Sequence, residues 1–384
     1  MRRVYLDHNA STPVHPDALA AMLPYFSERF GNASSIHGFG REARDGIDTA
    51  RETIASFLGV TPEEIVFTSG GTESDNLAVK GVAGARPGGH VITTQVEHHA
   101  ILRTGQALER AGHPVTYLPV DGEGLVDLDD LRRALRPETI LISIQTANSE
   151  TGTLMPVEEI GRIAAERGIP FHVDGVQTFG KLPVSLREPG IALMSMSSHK
   201  IYGPKGIGAL YVRKGTRMVS VQHGGDHERR RRAGTENVPA IVGFGKAVEL
   251  RARHMAEEAG RVAALRDRLW EGVRRAVPDV RLNGHPTRRL PGTLNMSFRG
   301  LEAESLILGL DLKGIGVSAG SACTSGSLEP SYVITAMGVP ADWALGAVRS
   351  SLGAGTTAED IDYVLEVLPA AVRRIRALSP AGAA

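Results

Sequence analysis

Apolar residues recur at helical spacing over 41–58, at Ile47, Ala50, Ile54, Phe57 and Leu58, and predict an amphipathic helix that Gly59 closes. Thr61-Pro62-Glu63-Glu64 follows with an N-cap hydroxyl, a proline at the first helical position and an acid at the third. From there the pattern shortens. Apolar runs at 65–68, 90–93, 115–118, 140–144, 171–174, 193–195 and 208–212 read as buried strands. Helical stretches lie between several of them, near 72–84, 99–111, 128–136 and 156–167. Such alternation predicts an α/β fold, a mostly parallel sheet with helices on both faces.

A long helical stretch from about 239 to 276 carries no strand signal and reads as the connection to a second unit. That unit shows strands near 292–298, 315–319 and 346–352, and helices near 302–310 and 357–376. The opening Met-Arg-Arg-Val-Tyr-Leu-Asp reads as a strand and lacks the apolar core of a signal peptide. No internal repeat is present, and 379–384 reads as a frayed end.

Composition narrows the partners. The 384 residues are 42% hydrophobic and 22% charged, enough apolar material for a sizeable core. The formal net charge is zero, so neither direct nucleic-acid binding nor a membrane surface is expected. The basic run Arg229-Arg230-Arg231-Arg232 reads as a solvated or ion-paired loop. No stretch is long and apolar enough to span a membrane. One cysteine and no export signal fit a reducing cytoplasm.

That cysteine, Cys323, sits in Ser318-Ala-Gly-Ser-Ala-Cys323-Thr-Ser-Gly-Ser327, among Gly, Ser and Ala. A structural cysteine normally lies among apolar neighbours, and Cys323 has no intrachain disulfide partner. It is either a spectator thiol or a nucleophile on a small-residue loop. Ser69-Gly-Gly-Thr-Glu-Ser74 follows a strand and opens a helix. Its glycines let the backbone approach an anion at a helix N-terminus, although many tight turns look the same. The segment Ser195-Met-Ser197-Ser198-His199-Lys200 is more specific. Lysine amines form Schiff bases with aldehydes, and a hydroxyl and an imidazole beside one suit a phosphate, which together point to pyridoxal 5′-phosphate. Asp174 ends a strand three residues before Gln177. A carboxylate there serves either as a turn cap or as the partner that keeps a pyridine nitrogen protonated.

Ordered motifs then carry a resemblance. They are Tyr5-Leu-Asp-His-Asn-Ala-Ser-Thr-Pro13, Thr68-Ser-Gly-Gly-Thr-Glu-Ser-Asp-Asn76, Glu97-His-His99 and Asn148-Ser-Glu-Thr-Gly152. Four more follow: His172-Val-Asp-Gly-Val-Gln177, Ser198-His-Lys200, Ala233-Gly-Thr-Glu-Asn237 and Ser321-Ala-Cys-Thr-Ser325. From about residue 4 to 377 the chain resembles the NifS/IscS-like cysteine desulfurases, within the class V aminotransferases of PLP-dependent fold type I. The resemblance implies a large PLP-binding domain over 15–255 with a mostly parallel seven-stranded sheet. It implies a smaller α+β domain made of 1–14 with 256–384, which carries the cysteine loop at about 316–330.

It also implies roles. Lys200 would hold the cofactor covalently and remove the Cα proton. Gly71, Thr72, Ser197 and His199 would bind its phosphate, with Thr235 reaching the phosphate of the neighbouring subunit of a homodimer. Asp174 would pair with the pyridine nitrogen and Gln177 with the ring oxygen. His98 would stack on the ring and help in proton transfer. Asn148 would approach the ring oxygen and the substrate carboxylate, and Arg349 would clamp that carboxylate. The Cys323 thiolate would take sulfur from L-cysteine as a persulfide, releasing L-alanine. A sulfur-acceptor protein, such as an iron–sulfur scaffold or a tRNA-thiolation enzyme, would then receive it. No metal is expected in the resting enzyme, although Cys323 could transiently ligate a cluster iron on a scaffold partner.

Two departures stand out: Asn148-Ser149-Glu150 where the family often reads Asn-Asn-Glu, and a chain that stops short of the long scaffold-docking tail of some members. The rival expectations are a class V aminotransferase or lyase, selenocysteine lyase included, and a carrier that only binds partners. Cys323 argues against the former, and retention of Lys200 and Asp174 against the latter. A zinc enzyme is a third rival, but Glu97-His98-His99 lacks the His-x-x-x-His spacing.

Overall fold

Seven strands form one sheet in the order β2-β8-β7-β6-β5-β3-β4 in the computed structural model, which describes residues 2–186, 190–320 and 329–378. The strands are β2 (Ile65–Thr68), β3 (His90–Thr94), β4 (Val115–Leu118), β5 (Thr139–Gln145), β6 (Phe171–Asp174), β7 (Ile191–Ser197) and β8 (Gly208–Val212). β8 runs antiparallel to both neighbours, and every other pairing is parallel. All seven runs read from the sequence are present. Burial of both faces of the pleat explains why most positions in those runs are apolar. Phe67, Ile142, Met194 and Tyr211 pack into a cluster on one face, under the helices Gly38–Leu58 and Val238–Ala276. Val66, Leu141, Leu193 and Leu210 face the other cluster, with Leu77, Val79 and Val82 of the helix Gly71–Gly84.

Gly59 closes the first of these helices with φ +68°, the left-handed turn that glycine adopts without a Cβ clash. Thr61 and Glu64 form the anticipated capping box, but it opens only a 3-10 turn, Pro62–Glu64, because β2 begins at the next residue. The helix Val238–Ala276 is continuous over 39 residues. Its later turns supply Val262, Leu269 and Val273 to a further apolar cluster with Leu6, Leu294, Met296, Phe298, Val348 and Leu368.

That cluster lies on an antiparallel sheet in the order β12-β10-β9. Its strands are β9 (Val280–Asn283), β10 (Thr293–Phe298) and β12 (Ala347–Ser351). A two-stranded parallel pair, β1 (Val4–Tyr5) with β11 (Ile315–Gly316), lies beside it. The helices Ala303–Asp311 and Ala358–Leu378 complete this part. β9 and the short helix Pro16–Met22 were not read from the sequence: Val280-Arg-Leu-Asn283 alternates over only four residues, too few for a period to show.

The basic run is ion-paired, as anticipated. Arg232 meets Glu73 at 2.7 Å and Arg230 meets Asp226 at 3.1 Å. Glu228, Arg229 and Arg230 all have positive φ, 47°, 56° and 66°, an uncommon backbone for residues with a Cβ. The buried Arg51 holds them there, gripping both Glu228 oxygens at 2.7 and 2.8 Å. No helix among the described residues is long and apolar enough to cross a membrane.

Candidate active site

The carboxyl ends of β5, β6 and β7 meet the N-terminus of the helix Gly71–Gly84, where open α/β sheets place their ligands. A cavity of about 270 Å³ opens there, lined by Gly71, Thr72, His98, Asp174, Gln177, Ser197, His199, Lys200 and Arg349. Nine of the residues anticipated from the sequence are thus brought to one place.

The turn at Gly70-Gly71 makes one end of the cavity. Gly70 is the helix N-cap at φ +153° and gives no side-chain cap, so the first N–H groups of the helix keep their donor capacity. A Cβ on Gly71 would lie 2.7 Å from Val176 Cγ2, so glycine is needed for β6 and this turn to approach. Ser197 at the end of β7 and His199 face the same end. Burial, together with Lys200, Lys205 and Lys181, holds His199 down at about 4, so its imidazole is neutral at neutral pH. Its Nδ1 lies 3.2 Å from Ser11 Oγ. Helix N–H groups, two hydroxyls and a neutral imidazole make a site for an anion.

Asp174 marks the opposite chemistry. It is buried at the end of β6, and its Oδ1 accepts from the Val176 N–H at 2.9 Å. Burial raises its pKa, while His98, that N–H and Lys200 pull it down. Asp75 lies beside it, wholly buried, with Oδ1 lacking a hydrogen-bond donor, and is raised well above the carboxylate range by burial and by Asp174. Behind the pair runs a buried relay in which His172 Nε2 meets Ser195 Oγ at 2.9 Å and Nδ1 meets Ser143 Oγ at 2.8 Å. A cation placed against Asp174 would relieve its burial cost.

Lys200 lies between these ends. It closes a 3-10 turn, Ser198–Lys200, directly after β7, and its Nζ donates to the Ala10 carbonyl at 2.9 Å and also to the Asn9 carbonyl. Gln177 Nε2 donates to the same Asn9 carbonyl at 3.1 Å. His98 caps the helix His99–Arg110, its Nδ1 accepting from the Ala100 N–H at 3.1 Å. Burial lowers its pKa, with Lys200 adding to the effect and Asp174 opposing it. With Nδ1 engaged as an acceptor, the proton of the neutral ring sits on Nε2.

Arg349, in the middle of β12, is almost fully buried. Nη2 meets Asp7 Oδ1 at 2.7 Å, Nη1 donates to the Ser149 carbonyl at 3.0 Å, and Nε has no hydrogen-bond partner among the described residues. Two anticipated residues are not on the cavity wall. Asn148 is buried beneath it, its Oδ1 accepting from the Glu150 and Thr151 N–H groups at 2.9 Å and its Nδ2 donating to the Val96 carbonyl at 3.0 Å. Its neighbours Ala147 and Ser149 line the cavity instead. Thr235 lies in a separate groove with Arg44, His227 and Glu236. Cys323 lies outside the described residues. Asn9, Asp7, Asp75 and Lys181 were given no role from the sequence. Asn9 and Asp7 fall in the opening motif, and Asp75 in the Gly-Gly-Thr motif, where they could have been found.

Pyridoxal 5′-phosphate fits this donor set. It offers a phosphate to the N–H-rich end, a basic ring nitrogen to the buried Asp174 carboxylate, a ring oxygen to Gln177 and an aldehyde to Lys200. No group of three or more His, Cys, Asp or Glu suited to a metal occurs among the described residues.

The class-V aminotransferase family matches residues 4–364. A protein named cysteine desulfurase IscS from Dictyoglomus turgidum is 52% identical over 99% of this chain and 97% of its own length. One of the same name from Methanosarcina thermophila is 52% identical over 99% of this chain and 94% of its own. Among solved structures, a NifS-like protein superposes with a TM-score of 0.91 at 39% identity, covering 97% of this chain and all of that one. SspA in complex with cysteine superposes with a TM-score of 0.82 at 39% identity, covering 91% of this chain and 99% of that one. This chain belongs to the class-V aminotransferase family and, within it, to the NifS/IscS-like, PLP-dependent cysteine desulfurases.

Proposed function

We propose that this enzyme removes sulfur from L-cysteine, leaves it on Cys323 as a persulfide and releases L-alanine. The observation that carries the reading is the convergence of Lys200, Asp174 and Arg349 on one cavity whose far end is a helix N-terminus. The names of the relatives, and the cysteine complex of the SspA structure, point to the same substrate.

Gly71, Thr72, Ser197 and His199 hold the phosphate of the cofactor, Asp174 its ring nitrogen and Gln177 its ring oxygen. Pyridoxal 5′-phosphate supplies an electron sink for the substrate Cα. Arg349 binds the substrate carboxylate; its Nη groups, held by the Ser149 carbonyl and Asp7, fix the plane of the fork. Lys200, as a free amine, takes the Cα proton on Nζ. His98, with its proton on Nε2, would lie against the ring and serve as a donor. The Cys323 thiolate then attacks the substrate sulfur. A sulfur–sulfur bond forms, the carbon–sulfur bond breaks, and its electron pair passes to the carbon that ends as the alanine methyl group.

The enzyme works as a homodimer in the cytoplasm, with Thr235 contributed to the phosphate site of the second subunit; its placement away from its own subunit's cavity supports this. The large unit spans 15–255 and the small one 1–14 with 256–384. An acceptor protein for iron–sulfur assembly or tRNA thiolation receives the sulfur.

The test is direct. Purified protein loaded with the cofactor should absorb in the visible, change spectrum on addition of L-cysteine, and yield alanine and protein-bound sulfur in equal amounts. A protein that gains no visible band with pyridoxal 5′-phosphate overturns the reading.

A further inference from the structure

A second lysine stands behind the first. Lys181, in the turn after β6, is half-buried, and its Nζ donates to Gln177 Oε1 at 3.0 Å and to Asn9 Oδ1 at 3.3 Å. Lys200 donates to the main-chain carbonyl of the same Asn9. Both amines line one small cavity with His8, Arg251 and Glu258. An ammonium has donors only and a carbonyl oxygen is an acceptor only. Gln177 therefore has one sensible orientation, with Oε1 toward Lys181 and Nε2 toward the Asn9 carbonyl. Reversing the amide would set donor against donor and acceptor against acceptor.

We propose that Lys181 is a positioning residue for the reaction: it fixes the Gln177 amide with Nε2 on the Asn9 carbonyl that also receives Lys200, and its charge makes a proton on Lys200 costlier, keeping that amine a base. The inference rests on the cofactor assignment made above.

The charges around Lys181 favour this role. Lys200, Arg349 and Arg251 face it as cations, and His8 and His199 also feel its field. Among the described residues Glu258 is the acid acting on it, and Glu258 is already ion-paired to Arg251. Asp7 is spent on Arg349. The burial of Lys181 and these cations, Lys200 foremost, lower it to about 7. Coupling between two sites is reciprocal, so a cation on Lys181 opposes protonation of Lys200 as Lys200 opposes that of Lys181. A cationic neighbour is an established way to free a catalytic lysine from its proton.

The experiment titrates the visible band of the cofactor-loaded enzyme against pH, in the parent and in Lys181→Met and Lys181→Arg. The band reports protonation at the Lys200 nitrogen. In Lys181→Met the midpoint should rise by about one pH unit or more, a tenfold change in proton affinity. Lys181→Arg keeps the charge and should hold the parental midpoint. Lys181→Gln retains a donor without charge and gives the same reading where the Met variant does not stay folded. A midpoint that stays or falls in the neutral variants overturns the proposal, as does an Arg variant that shifts as far as they do. A parent with no visible band would instead overturn the cofactor assignment itself.

Discussion

Arg349 and Asp7 meet at 2.7 Å although 342 positions separate them in the chain. The guanidinium is buried, and among the described residues Asp7 is the side chain that neutralises it, with the Ser149 carbonyl on a second nitrogen. The aim of the arginine proposed to bind the substrate carboxylate therefore depends on Asp7.

Asp7→Asn should accordingly impair cysteine binding more than turnover. A hydrogen bond to a charged group is worth roughly 1.5–3 kcal/mol, so KM should rise about 10- to 100-fold. Steady-state kinetics check this; a fall in kcat at unchanged KM would assign Asp7 elsewhere.

Thr72→Val should loosen the cofactor. Thr72 is the second residue of the helix Gly71–Gly84 and lines the end of the cavity proposed to hold the phosphate. Loss of one bond to a charged group again weakens cofactor binding roughly 10- to 100-fold. Equilibrium dialysis measures it, and unchanged affinity would make Thr72 only a helix-start residue.

His172 should shape stability in acid. It is fully buried and held neutral down to about 3 by burial, against an ordinary value of 6.5. The unfolded chain takes up a proton below 6.5 that the folded chain refuses. Stability from this group is thus complete above 6.5 and is lost as pH falls from 6.5 toward 3, at about 1.4 kcal/mol per unit. Urea unfolding at pH 7 and pH 5 should show a smaller loss in His172→Asn than in the parent. Equal losses would place the acid sensitivity elsewhere.

Cys323→Ser should separate sulfur transfer from cofactor chemistry. Lys200, Asp174 and Arg349 are untouched, so cysteine should still bind and change the spectrum. Alanine release should fall by orders of magnitude, and no persulfide should form. Mass spectrometry of the protein and amino-acid analysis read both. Parental turnover by the serine variant would return the enzyme to ordinary transaminase or lyase chemistry.

The sheet was legible because its strands are buried on both faces, so each appears as an apolar run such as 140–144. The sequence also singled out Lys200, Asp174 and the Gly-Gly turn, each a residue type with a short list of purposes, and the fold brings Lys200, Asp174 and Gly71 to one cavity. Residues that act through another were given no role. The opening motif could have drawn attention to Asp7 and Asn9, but nothing in the sequence marks Lys181, and only the fold brings Asp7 to Arg349 and Asn9 and Lys181 to Gln177. Asn148 shows the reverse: its motif is clear, yet its amide is occupied by backbone groups of its own turn. Thr235 needs a second subunit before its position means anything.

The first ten residues have a consequence for handling the protein. Among the described residues β1 is the strand that pairs with β11, and β11 precedes the segment that holds Cys323. A few residues further on, Asp7 steadies Arg349 and the Asn9 and Ala10 carbonyls receive Lys200. A single proteolytic nick after Ala10 would therefore strip the lysine, the arginine and the base of the cysteine segment of their supports at once, while leaving the seven-stranded sheet intact. Preparations that look folded by circular dichroism yet are inactive should be sequenced from the amino end first.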